Sequence, residues 1–137
     1  MLKDSRVYTT LPVTDPARAR KFYADKLGLR PSQPDGDFFS CAGGTSFVIS
    51  RMGSKPGGHT QMGFLVEDIV ATVKELKANG VVFEDYDLPS LKTVGSIMVR
   101  EDMKTAWFKD SEGNMLGIME PSAEVLRNAV GAATGKR

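Results

Sequence analysis

The chain has 137 residues and 41% of them are hydrophobic, enough for one domain of ordinary size or two small halves that share a core. Lys and Arg number 18 against 17 Asp and Glu, so bulk charge gives no reason to expect nucleic acid or a membrane surface as partner. One cysteine, Cys41, excludes an internal disulfide and a thiolate metal cage. No apolar run is long enough to span a bilayer and "MLKDSRVY" has no signal-like apolar stretch, so a cytoplasmic protein is expected.

The first predicted element is a short strand over Val7 to Val13. Asp15 then stands where a helix N-cap belongs, and Pro16 suits the first helical position because it has no N–H to leave unpaired. Ala19, Phe22, Tyr23 and Leu27 fall on one face of a helix over residues 16–27, and Gly28 provides the stop. An extended "LRPS" and two strands, "DFFSCAGG" and "TSFVISRM", follow around Gly43-Gly44.

The pattern then repeats. A strand over about Gln61 to Val66 leads to Asp68 as cap, 53 residues after Asp15. Ile69, Val73 and Leu76 form the apolar stripe of a helix over residues 69–79, and Asn79-Gly80 ends it. "VVFEDYD", "TAWFKD" and "NMLGIME" are the three strands that complete the second copy, the last two joined by a turn at Gly113. The expected architecture is therefore α+β, with two βαβββ modules in mostly antiparallel sheets whose free faces line a cleft. Module 1 spans about residues 6–51 and module 2 about 59–120, within one domain over 1–120. Residues 88–102 are an extra segment of the second copy, either a lid or a surface excursion, and residues 121–137 form a tail with a short helix and a frayed end.

These three stretches, "LPVTDPARARKFYADKLGL", "GFLVEDIVATVKELKANGV" and "TAWFKDSEGNMLGIME", occurring in this order around a duplication, resemble the vicinal oxygen chelate superfamily. That superfamily includes glyoxalase I, bleomycin-resistance proteins and extradiol dioxygenases. The resemblance implies paired βαβββ modules that curve around an active site, and it implies a homodimer. In metal-dependent members it also implies ligands at the start of each module's first strand and at the ends of the fourth strands. Matched by position, these become Tyr8, Gln61, Ser50 or Arg51, and Glu120. Only Glu120 is an ordinary metal ligand, and Arg51 would repel a cation. His59, the only histidine, lies two residues before Gln61 and so on the same strand face. His59, Gln61 and Glu120 are the set available if a divalent metal is held; no metal or other cofactor is the primary expectation.

What remains suits an organic ligand: Tyr8, Arg51, His59, Gln61 and Glu120 as polar groups, with Phe47, Trp107 or Phe39 as apolar walls. For each aromatic, core packing is the competing reading; for His59 it is an exposed strand start, and for Glu120 an exposed strand end or an ion pair with Arg51. Two functions are expected in consequence. The first is metal-free binding or sequestration of a small organic molecule by a homodimer, as in bleomycin resistance. The second is a divalent-metal-dependent lyase, isomerase or dioxygenase in which Glu120 is the catalytic proton acceptor.

Overall fold

Two aspartates start the two helices of the computed structural model, which describes residues 1–51, 55–125 and 127–128. Asp15 accepts a hydrogen bond from Arg18 N, and helix α1 runs over Pro16–Leu27. Asp68 accepts from Ala71 N, and α2 runs over Ile69–Ala78. Gly28 ends α1 at φ 73°, in the left-handed region that an L side chain avoids, and Asn79 caps α2. Both helices lie where the capping pattern places them.

Each helix is flanked by a parallel pair of strands. β1 (Tyr8–Pro12) pairs in parallel with β3 (Ser46–Ser50), and β3 pairs antiparallel with β2 (Phe38–Ser40), giving the order β1-β3-β2. In the second half β4 (Thr60–Leu65) pairs in parallel with β9 (Met115–Glu120). β9 then pairs antiparallel with β8 (Met103–Lys109), and β8 with β7 (Met98–Arg100), giving β4-β9-β8-β7. The duplication seen in the sequence is thus a duplication of connectivity.

The strand expected directly after each helix is reduced to a single bridge. Pro31 pairs with Phe39, and Phe83 with Phe108. Pro31 has no N–H to donate, so a longer ladder there would lack a rung. The segment 88–102 contributes to a small hairpin, β5 (Asp87–Leu88) with β6 (Leu91–Lys92), and then supplies β7 as an edge strand. β7 extends the second sheet, while the hairpin is a two-stranded sheet of its own. In the tail, residues 123–125 and 127–128 are helical, while the expected frayed end, 131–137, lies outside the described residues.

One core joins both halves. Tyr23 of α1 packs on Phe39 and Phe47, which stack at 4.6 Å between ring centroids. Ile69, Val73, Phe83, Ala106, Phe108, Leu116 and Ile118 continue it beneath α2. Polar bonds then tie α1 to the β8–β9 turn. The Tyr23 hydroxyl donates to Asp110 Oδ2 at 2.7 Å, and Asn114 Nδ2 donates to Pro12 O at 2.9 Å. Glu112 accepts from Thr14 N, Asp15 N and Arg18 Nε at 2.8–3.0 Å. With the helices covering one face of each sheet, the opposite faces remain open.

Candidate functional site

Strand alternation decides which side chains reach the open faces. On β8, Ala106 and Phe108 are buried in the core, so Thr105 and Trp107 point the other way. On β9, Leu116 and Ile118 are core residues, so Gly117 and Met119 share the face of Trp107. Trp107 lies directly across from Gly117, and Thr105 from Met119. Tyr86 meets the indole edge-on at 5.7 Å between centroids. Thr105, Trp107, Gly117 and Met119, with Gly63 and Leu65 of β4, line a concavity of about 440 Å³, with Thr60 at its end. Its walls are mainly apolar and Leu65 is 52% exposed within it.

A β-bulge at the start of β4 shapes its edge. Thr60 pairs with Met115 and Met62 with Leu116, leaving Gln61 as the extra residue. Thr60 reaches toward Gly117, where an added Cβ would stand 3.3 Å from Thr60 Cγ2. Gln61 lines a second concavity, also about 440 Å³, with His59, Lys55 and Gly57 on one side and Thr10, Pro12 and Ser50 on the other. This one is rimmed by polar groups, and it lies between β1 and the start of β4.

The sequence-predicted residues divide between these places. Trp107 lines the apolar concavity; His59 and Gln61 line the polar one. Tyr8 is on the open side of the first sheet, 58% exposed and edge-on to Phe38 at 6.3 Å, and lines neither. Phe47 and Phe39 are core residues, because Phe47 shares its strand face with buried Ile49 and stacks on Phe39 in register. Ser50, not Arg51, lines the polar concavity; Arg51 follows the end of β3 and is exposed.

Glu120 also departs from its expected place. It shares the β9 face of Leu116 and Ile118, which is the helix side. Its Oε1 accepts from Ile69 N at 2.9 Å, and Lys104 Nζ lies 3.7 Å from Oε2. The carboxylate therefore sits on the positive N-terminal end of α2, where negative charge is stabilised. It makes no ion pair with Arg51 among the described residues. Gly117, Thr60, Thr10 and Lys55 are site residues that the sequence reading missed, and of the alternatives Ser50 or Arg51 it is Ser50 that lines a concavity. Counting strand parity back from Ile118 would have found Gly117.

Ionisation behaviour follows the same division. Burial, and then the charge of Glu84, raises the Tyr86 phenol above its ordinary value. Burial also raises the Cys41 thiol, which favours its protonated form. Glu112 is held at about 2, first by its hydrogen bond from Arg18.

The donors at hand do not fit a divalent metal ion. Glu120 is committed to α2, Gly117 has no side-chain donor, and Tyr8 lies away from both concavities. His59 and Gln61 alone fall short of the three or four protein ligands such an ion takes. Among the described residues no three His, Cys, Asp or Glu side chains are grouped to hold one.

Paired β-α-β units with open, curved sheet faces define a glyoxalase-type α+β fold. The chain belongs to the Glyoxalase/Bleomycin resistance protein/Dioxygenase superfamily, whose model matches residues 6–118. Solved structures share the fold at low identity. UcmS2 is 19% identical with a TM-score of 0.65, covering 86% of this chain and 98% of its own. A putative glyoxalase family protein from Bacillus anthracis is 23% identical with a TM-score of 0.61, covering 85% and 93%. TnmS3, an antibiotic binding protein from Streptomyces sp. CB03234, is 20% identical with a TM-score of 0.59, covering 89% and 99%. No curated protein matches the chain. No helix among the described residues is long and apolar enough to cross a membrane.

Proposed function

We propose that this protein binds and sequesters a planar organic molecule on the open face of its second sheet, without a metal or other cofactor. The observation that carries this reading is Trp107 opposite Gly117. An indole beside a position with no side chain leaves room for a flat ring, and apolar walls with few polar groups suit such a ligand. The donor set supports the metal-free form of the reading, and the likeness to an antibiotic binding protein is consistent with it. The working unit is a homodimer in the cytoplasm. Tyr8 and Phe38, 58% and 48% exposed on the open side of the first sheet, are the apolar groups a second copy would cover.

The test is a titration of the purified protein with planar aromatic compounds, followed by fluorescence of its single tryptophan. Mass spectrometry for a co-purified ligand and elemental analysis accompany it. Saturable quenching with no stoichiometric metal supports the reading. About one divalent ion per chain, lost in His59→Ala, would replace it with the metal-dependent lyase, isomerase or dioxygenase.

A further inference from the structure

Among the described residues, the polar concavity is lined by groups that can donate hydrogen bonds and by no acid. Its ionisable residues are Lys55 and His59; Thr10, Ser50 and Gln61 add two hydroxyls and an amide. Pro12 and Gly57 complete the lining among the described residues. Neither Lys55 nor His59 makes an ion pair with any described residue. Glu112, next to Gly113 whose added Cβ would touch Pro56 at 3.7 Å, is held by Arg18 and two backbone amides instead. The Lys55 ammonium and the His59 imidazole are left facing solvent with hydroxyl and amide groups around them. With an ammonium and no carboxylate among the described lining residues, such a set favours an anionic oxygen group over a cation.

The position of this hollow matters as much as its charge. It abuts the apolar concavity through the bulge of β4, where consecutive residues Thr60 and Gln61 line one each. A molecule resting on Trp107 and passing Gly117 and Thr60 is thereby directed toward Gln61, the next residue along the chain. The geometry points to an aromatic anion as the ligand: a planar ring system against Trp107 carrying a carboxylate, sulfonate or phosphate that is held by Lys55, His59 and Ser50. This rests on the binding reading above and narrows its ligand class by charge. Gln61 and Thr10 orient the group, since a neutral amide and a hydroxyl can turn their donors toward it.

Lys55 and His59 are exposed, so solvent screens their attraction and the charge preference is modest. The experiment compares naphthoate with naphthylmethanol, which has the same rings and a neutral arm, by calorimetric titration at low salt. Naphthoate is expected to bind about fivefold more tightly, with the preference shrinking as salt is added. Lys55→Ala and His59→Gln should each reduce that preference by weakening naphthoate more than naphthylmethanol. Both sites lie outside helices and strands, so the fold tolerates the substitutions. Equal binding of the two compounds by the native protein overturns the anion assignment but keeps the aromatic reading. A Lys55→Ala variant that weakens both compounds equally overturns it as well. Failure of both compounds to bind overturns both.

Discussion

Trp107 and Gly117 stand opposite each other on β8 and β9, and an added Cβ at Gly117 would lie 3.8 Å from the indole Cδ1. The glycine is what keeps one side of the tryptophan open. The same Cβ would meet Thr60 Cγ2 at 3.3 Å, a contact that a small shift of one methyl relieves. Gly117→Leu, by contrast, fills the slot. It is expected to weaken aromatic ligands at least about tenfold, as is Trp107→Ala, which removes the ring they rest on. Calorimetric titration measures both, and thermal melting separates lost binding from lost fold.

Glu120 is expected to matter for stability and not for ligand. Its carboxylate bonds Ile69 N at the start of α2, beside the Asp68 cap, and faces away from Trp107. Glu120→Gln keeps an acceptor but removes the charge from the helix end. The cost is about 0.3–1 kcal/mol, seen as a small fall in the denaturation midpoint. A large loss of aromatic binding in this variant would contradict the placement of Glu120 on the helix side of β9.

The contrast between these two residues shows what the sequence could convey. Asp15, Pro16 and Gly28 report on α1 because caps act locally, within a turn of the residue that needs them. Phe38-Phe39 and Trp107-Phe108 are ambiguous because adjacent aromatics fit either strand phase; only packing against Tyr23 and Phe83 sets which one turns inward. Glu120 was misplaced because a carboxylate at a strand end looks like a ligand. The parity of Leu116 and Ile118 carried the opposite information. Lys55 was illegible for a further reason: "GSKPGGH" has no periodicity, and the approach of Lys55, Gly57 and His59 to β1 exists only in the folded chain.

The bond from Tyr23 to Asp110 spans 87 residues and joins the two halves. It is buried, and burial with the nearby Asp110 charge pushes the phenol well above its ordinary range, so it remains a donor at every working pH. Asp110 also accepts from Asn114 Nδ2 and from the amides of Glu112 and Asn114. Tyr23→Phe keeps the ring packing against Phe39 and Phe47 but removes one donor from a buried carboxylate. A loss of about 1–3 kcal/mol is expected in urea denaturation, with an unchanged denaturant slope because the surface exposed on unfolding is the same.

Glu112 gives the fold a defined acid sensitivity. Its side chain is fully covered, and it accepts from Thr14 N, Asp15 N and Arg18, so its pKa falls from an ordinary 4.5 to about 2. A carboxylate with a depressed folded value stabilises the native state above its unfolded pKa. That contribution is complete above about pH 5 and disappears as the pH falls through 4 toward 2. Arg18 is 54% exposed, so solvent screens the pair and the contribution is about 1–2 kcal/mol rather than the full value of the shift. Glu112→Gln preserves an oxygen for the two amides and cannot titrate. Melting curves of both proteins between pH 7 and pH 2 should therefore differ most at neutral pH and converge in acid. Parallel curves, with the same gap at every pH, would show that the Arg18–Glu112 pair does not set this part of the acid response.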